Sequence, residues 1–413
     1  MVLIIGAGLA GLTSAKILQE KNIPFLLLDA AATVGGRLAT TVTPDGFHLD
    51  HGFQVLLDSY PAARRHLNLK KLAPCYFDSG ALLADDGQKW PAMHPLRHPW
   101  RGFTSAFANY APWSDKLRLV HLATELLLSK NDNLLREDAR GLSTGDFLRL
   151  KNFSPALIER FFRPFFGGVL IDDALETSAA LFRYYFRQFI LGRALIPANG
   201  IAEIPRQLAL ALPSESLRLQ CAVAKLTFQG ATLTSGEFLP ASQIILATTG
   251  AEAARLLGST PPPAPRKLSV AYFTSPEPLN DCRMLILPAG KSRLVRHFVQ
   301  LTNIAPSLAP AGQCLLSATL LDRRGLDDAS LFAAATQEIS EVYPNAGKIL
   351  CPLRIIDVPY AVPEQKPGFL SQRVTPSLPA HLHLAGDHTL HGSVQGAMES
   401  GERAAQAVLK YLT

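Results

Sequence analysis

Val2-Leu3-Ile4-Ile5-Gly6-Ala7-Gly8-Leu9-Ala10-Gly11 opens the chain with four apolar residues, followed at once by three glycines spaced G-x-G-x-x-G. A short, wholly apolar run of this kind is that of a parallel strand buried on both faces. From Leu9 to Glu20 the apolar positions Leu9, Leu12, Ala15, Ile17 and Leu18 recur with helical spacing. Asn22 and Pro24 then close the helix before a second strand, Phe25 to Leu28, which ends in Asp29. Strand, glycine turn, helix and strand make a βαβ unit. Gly6 lets the strand turn sharply, Gly8 lets the backbone approach a pyrophosphate, and Gly11 lets helix and strand pack closely. The pyrophosphate then lies at the positive end of the helix, against the first turn at Leu9 and Ala10. Asp29, eighteen residues after Gly11, is placed to accept hydrogen bonds from ribose hydroxyls. A dinucleotide-binding domain is expected.

The rest of the chain sets the size of the problem. Its 413 residues, 48% hydrophobic and 18% charged, allow two or three domains and exclude a disordered, fibrous or disulfide-stapled protein. The net charge of +6 comes from dispersed basic residues. It permits an anionic cofactor or an acidic membrane surface, and no nucleic-acid partner is expected. Five scattered cysteines without a C-x-x-C pair read as reduced thiols in a cytoplasmic protein, and no metal site is expected. The glycine-bearing N-terminus reads as a folded element rather than a signal peptide, and no run is long enough to span a bilayer.

After about residue 60 prolines and all three tryptophans punctuate a segment that reads as an inserted, largely helical domain, with helices through Lys116 to Ser129 and Ser178 to Leu191. Strands are expected from Leu217 to Leu226, Ala231 to Leu233 and Gln243 to Ala247. The run Pro261-Pro262-Pro263-Ala264-Pro265 reads as a stiff linker into a second excursion. Its strands are Leu268 to Thr274, Arg283 to Leu287, Leu294 to Gln300 and Cys314 to Leu320, followed by a helix from Ser330 to Val342. A strand from Leu382 to Ala385 and a helix from Val394 to Tyr411 close the chain.

Gly35-Gly36-Arg37 follows six residues after Asp29. With it the chain resembles the flavin-containing amine oxidase, protoporphyrinogen oxidase and phytoene desaturase superfamily, closest in texture to its phytoene desaturase-like members. The resemblance implies non-covalent FAD and assigns Arg37 to its pyrophosphate, a role suited to a guanidinium. It extends to Asp50-His51-Gly52-Phe53-Gln54, similar to the element beside the isoalloxazine, and to Pro197-Ala198-Asn199-Gly200-Ile201, where Asn199 stands in place of a glycine. Val223 matches the position whose backbone holds the adenine. Gly386-Asp387 and Gly392-Ser393-Val394-Gln395-Gly396-Ala397 resemble the closing motif. There Asp387 is expected to accept a ribityl hydroxyl, and the backbone N–H groups of Gly396 and Ala397 to meet the electron-rich edge of the flavin. The implied fold class is α/β. A Rossmann-like FAD domain (1–58, 195–253 and 379–413) carries an inserted α+β substrate domain (59–194 and 254–378).

Because flavin itself carries the redox chemistry, no nucleophile or metal is required of the chain. His51, His388 and His391, with His48, fall in the two loops expected to flank the flavin. Each is either a general base, a substrate-orienting group, or a polar residue satisfied at the cavity wall. Phe161-Phe162-Arg163-Pro164-Phe165-Phe166-Gly167-Gly168-Val169 resembles a desaturase element whose aromatics either wall an apolar tunnel or fill a helical core. Trp90 to Arg101 mixes aromatic, apolar and basic residues, read either as a peripheral membrane segment or as a packed proline-rich loop.

The expected reaction is hydride abstraction from an apolar, isoprenoid-like substrate, with oxygen or a quinone as acceptor. Amine oxidation is the first alternative. It is weakened because Ser393 stands where amine oxidases carry a closing aromatic, leaving Tyr360 without its counterpart, and because Lys267 lies beside, not at, the position of their lysine. A flavin-holding protein with an isomerase-like or structural role is the second.

Overall fold

Val2–Ile5 is buried at all four positions and forms the centre of a parallel sheet with Phe25–Leu28 on one side and Gln243–Leu246 on the other. Leu217–Arg218 and Leu382–Leu384 add the two edges, giving five strands drawn from both ends and the middle of the chain. The computed structural model describes residues 1–94, 97–98, 100, 107–136, 138, 141–290, 293–370 and 378–412. Pro95, Leu96, Pro99 and Arg101 of the proline-rich stretch lie outside the described residues.

The helix Leu9–Glu20 runs over this sheet and against the last helix, Val394–Leu412. Their contact is backbone-close. A Cβ on Gly401 would stand 2.2 Å from the Ala10 carbonyl oxygen. The Ser14 hydroxyl donates both to Ala10 O and, at 2.9 Å, to Gly401 O. Buried Leu12, Ala15, Leu18, Met398 and Val408 fill the seam, at about 1.5–3 kcal/mol for each large side chain removed from water. The two chain ends are thus held in one layer.

A second sheet of seven strands supplies the other half of the molecule, in the order Cys351–Val362, Arg266–Ser275, Cys314–Leu320, Val295–Gln300, Leu285–Pro288, Gly80–Asp85, Gln88–Met93. Here the sequence reading needs three corrections. Gly80–Asp85 and Gln88–Met93 form a hairpin inside the segment read as largely helical. It joins the later strands through parallel pairing of Leu285–Pro288 with Gly80–Asp85. Cys351–Val362, a twelve-residue strand, was not expected at all. Two of the three unforeseen strands, Gln88–Met93 and Cys351–Val362, are sheet edges, where Pro91, Pro352 and Pro359 cost no ladder hydrogen bond and discourage pairing with another chain. The expected strand Leu217 to Leu226 is also interrupted. Leu217–Arg218 belongs to the parallel sheet and Val223–Thr227 to a separate antiparallel one.

Helices Trp113–Leu128 and Ala179–Leu191 pack with the segment around Phe162 into an apolar cluster beside the second sheet. Pro164 enters there after one turn of π-helix, Ile158–Phe162, which passes into the helix Arg163–Leu170. Along this helical segment consecutive phenylalanines fall on different faces. Phe162 and Phe166 are fully buried in the cluster, whereas Phe161 and Phe165, stacked at 5.7 Å, face a cavity between the two halves.

Candidate functional site

The cavity runs from the glycine turn to the far end of the helix Trp113–Leu128 and has a volume of about 1040 Å³. A usual small-molecule site holds roughly 300–1,000 Å³, so the space suits a dinucleotide with a substrate beside it.

At the turn, the three glycines sit in two kinds of surroundings. Gly6 has φ +106°, and a Cβ there would stand 2.5 Å from the Ala247 carbonyl oxygen. A Cβ on Gly11 would meet the Gly6 carbonyl oxygen at 1.9 Å. Both contacts are backbone on backbone and belong to the fold. Gly8 differs: it caps the helix Leu9–Glu20, no atom lies within 4 Å of a Cβ built on it, and no side chain caps the helix. The first-turn N–H groups therefore face open space with no acidic residue in the turn itself, which suits an anion. Gly36 (φ +57°) completes this cradle, with Gly35 bridged to Gly8. Asp29 is fixed by accepting from Ala7 N at 2.6 Å and Ala31 N at 2.8 Å, and it lines the cavity. These features fit the dinucleotide that the resemblance implies.

Arg37 and Asp387, read separately from sequence, meet as one bidentate ion pair at 2.6 and 2.7 Å. Arg37 also donates to Ala361 O and lies 4.5 Å from the centre of the Tyr360 ring. Burial alone would raise the Asp387 pKa, but the guanidinium charge and its hydrogen bonds outweigh burial and hold the carboxyl below its ordinary value. Both residues border the cavity, so the pair sets a fixed charge arrangement where the two chain ends meet.

His51, Gly52, Phe53 and Gln54 also line the cavity. The Gln54 amide donates to the carbonyls of Arg37 and His51, tying the two loops together. His51 bonds to the Thr41 hydroxyl at 2.8 Å, and burial lowers its pKa, which keeps the imidazole neutral at pH 7. Asn199 does not disrupt its loop: Gly200 keeps φ +95°, and Ile201 N donates to the Asp50 carboxylate, which also accepts from Thr40. Burial pushes the Asp50 carboxyl up to about 6 despite these hydrogen bonds.

Of the remaining sequence-derived residues, Leu9, Ala10, Val223, Gly386, Ser393, Val394 and Ala397 border the cavity, whereas Gly11, His388 and His391 do not. His391 is buried between Tyr184 and Tyr185 and bonds to the hydroxyls of Tyr185 and Ser393, a structural position. The expectation for Gly396 and Ala397 is corrected as well. Their N–H groups are used within the turn, donating to Ser393 Oγ and Ser393 O, and a Cβ on Gly396 would collide with the His391 carbonyl. Lys267 is exposed on its strand, while the adjacent Leu268 faces the cavity. No aromatic stands at Ser393 to oppose Tyr360.

Sequence reasoning missed the outer part of the cavity. Lys116, Leu119, Val120, Ala123, Thr124 and Leu127 form one face of the helix Trp113–Leu128 along it, an i, i+3, i+4 spacing that was legible but had no known partner. It also missed His297 and Thr319 on the floor of the second sheet. Among the described residues, no group of three or more His, Cys, Asp or Glu is placed to hold a metal, and no helix is long and apolar enough to cross a membrane.

A parallel sheet with an open helix N-terminus at its first turn, roofed by an antiparallel sheet and helices over a long cavity, has the frame of a dinucleotide-binding protein. The family described as flavin containing amine oxidoreductase matches residues 9–409, and the chain belongs to it. L-amino-acid oxidase 4 of Hebeloma cylindrosporum is 48% identical over 48 residues, 12% of this chain and 8% of that protein. The zeta-carotene desaturase of Arabidopsis thaliana is 23% identical over 201 residues, 46% of this chain and 36% of that protein. The matched stretches thus span well under two thirds of these relatives. Cyclohexylamine oxidase from Brevibacterium oxydans IH-35A has a similar fold, with a TM-score of 0.69 at 19% identity, covering 100% of this chain and 99% of that one.

Proposed function

We propose that the protein is an FAD-dependent oxidoreductase that removes two hydrogens from an apolar, isoprenoid-like small molecule. FAD would lie non-covalently along Gly6, Gly8, Asp29, Arg37, Val223 and Asp387, with no cysteine in the 392–397 turn to attach it. When bound, its flavin accepts a hydride from the substrate and passes the electrons to oxygen or a quinone. The chain's own residues then position and desolvate. Phe53 and Gln54 fix the loop beside the reacting carbon, the stacked Phe161 and Phe165 wall the chamber, and the helix Trp113–Leu128 covers its outer end. His51, neutral and cavity-facing, would take the proton released when a C–H pair becomes a double bond, a reading supported by its position on the cavity wall, which His388 and His391 do not line.

The observation that carries the proposal is the chemistry of the chamber beyond the Arg37–Asp387 pair. Its lining is mostly phenylalanine, leucine, valine, isoleucine and alanine, with Asp78, His94, Lys116 and Thr124 among its polar members. Lys267 points elsewhere and Ser393 replaces an aromatic, both against amine oxidation.

The outer end also suits a lipid surface. Leu117, Val120 and Leu128 are 63–84% exposed, and Val120 borders the cavity, so a substrate would pass from bilayer to chamber without crossing water. This describes a cytoplasmic enzyme that touches a membrane peripherally. Incubation with FAD, a quinone and solubilised polyisoprenoids, followed by mass spectrometry, tests the reaction. A product lighter by one pair of hydrogens is expected. Consumption of primary amines alone would overturn the proposal in favour of amine oxidation, and turnover of neither class would favour a non-redox role.

A further inference from the structure

The chamber wall is mostly apolar, and on the floor of the second sheet it carries one buried polar pair whose side-chain hydrogen-bonding atoms are unsatisfied among the described residues. On the strand Val295–Gln300, His297 is 2% exposed and stands opposite Thr319 of Cys314–Leu320 in the antiparallel register. Thr319 is 1% exposed, and both residues border the cavity. The imidazole is clamped. Phe53 meets it edge to face at 4.9 Å and 68°, and on another side it fills the space left by Gly168, where a Cβ would stand 2.4 Å from Nδ1. Neither ring nitrogen has a hydrogen-bond partner among the described residues, and the Thr319 hydroxyl has none either. Buried polar groups are nearly always satisfied, and leaving three such atoms together costs stability that nothing within the chain returns.

Burial, together with the neighbouring Arg296 charge, holds the His297 pKa down to about 3. The ring is therefore neutral, with one N–H donor and one lone pair. Arg296 is itself buried and paired with Asp173 at 2.9 Å, so a cationic ligand group would find no free counterion here.

We infer that His297 and Thr319 form a polar anchor within the apolar chamber, holding a single neutral oxygen, hydroxyl or carbonyl, on an otherwise hydrocarbon substrate. The inference rests on the apolar-substrate reading above and deepens it. A carbonyl oxygen would accept from the imidazole N–H and the threonine hydroxyl together. A substrate hydroxyl would donate to the ring's lone pair and accept from Thr319. Because Phe53 touches both this ring and the loop expected beside the flavin, anchoring the oxygen here would select which carbon of the chain is presented for oxidation. His297 is a positioning residue in this scheme, with no part in proton transfer.

The test compares undecan-2-one with undecane, each in the same micelles, titrated into the FAD-loaded protein. The ketone is expected to bind at least tenfold more tightly, since a site built to pair an oxygen rejects the analogue lacking it. Thr319→Val, which keeps the side-chain shape, should remove most of that preference, and His297→Leu the rest. The ring ¹⁵N signals of His297 should move with the ketone and not with the alkane. Equal affinity of wild type for both probes, as expected if water alone satisfies these atoms, would overturn the anchor while leaving the apolar-substrate reading standing. So would a ketone preference that survives Thr319→Val. Binding of neither probe would overturn both.

Discussion

Replacing Gly8 by alanine separates the part of the glycine turn that builds the fold from the part that serves a cofactor. Gly8 has φ −75° and ψ −178°, a conformation open to alanine, and no atom lies within 4 Å of the added methyl. Alanine is a poorer helix cap than glycine, but it also reduces the entropy of the unfolded chain by about 0.4–1 kcal/mol, so the two effects nearly cancel. The flavin-free protein should melt within roughly 2 °C of wild type. FAD affinity should fall. The methyl occupies the approach to the first-turn N–H groups, and loss of one charge-assisted hydrogen bond to a pyrophosphate costs about 1.5–3 kcal/mol, a ten- to hundredfold weakening. Gly11→Ala is the contrast: its methyl would sit 1.9 Å from the Gly6 carbonyl oxygen, forcing helix from strand and destabilising the flavin-free protein by about 1–3 kcal/mol or more. The assay is visible flavin absorbance per protein after reconstitution, beside thermal melts of the flavin-free forms. Full flavin retention in Gly8→Ala, or a flavin-free form as unstable as Gly11→Ala, would refute the reasoning.

Asp387→Asn leaves the Arg37 guanidinium without its carboxylate. Chemical denaturation should record a loss of about 2–3 kcal/mol, below the full value for a buried pair because the Arg37 side chain is 30% exposed and keeps Ala361 O and Tyr360; an unchanged midpoint would contradict the pairing. Burial would raise the Glu402 carboxyl, but hydrogen bonds from His66 and Arg65 prevail and hold it down to about 2 from an ordinary 4.5. A depressed folded pKa contributes stability that is present above 4.5 and lost as pH falls toward 2. With Arg65 half exposed this amounts to about 1–2 kcal/mol, and Glu402→Gln should flatten the acid limb of the stability curve. Leu117→Asp with Leu128→Asp should weaken sedimentation with anionic vesicles at least tenfold, each leucine being worth about 1.5–3 kcal/mol when buried in lipid. Undiminished sedimentation would remove the membrane surface from the account.

What was legible in the sequence is what neighbours in sequence decide. Val2–Ile5, Leu9–Glu20 and Phe25–Leu28 begin and end where periodicity, glycines and Pro24 place them, because a doubly buried strand and a helix over it need nothing from elsewhere. The edge strands Gln88–Met93 and Cys351–Val362 were hidden by their prolines, which read as loop until the sheet order shows them at its margins. The phenylalanine run held two readings because both apply, one to each face of a helix whose winding changes at Ile158–Phe162. Arg37 and Asp387 are 350 residues apart, and nothing local announces that they pair. His297 and Thr319 carried a weak signal, polar residues within apolar strands, but only the fold reveals that this face looks into a cavity.

An anaerobic visible spectrum of the FAD-loaded protein, taken before and after adding solubilised polyisoprenoids and then primary amines, addresses the central claim most directly. Bleaching of the flavin band by a polyisoprenoid and not by an amine is the predicted result. Bleaching by an amine alone, or a protein that retains no flavin after reconstitution, would contradict it.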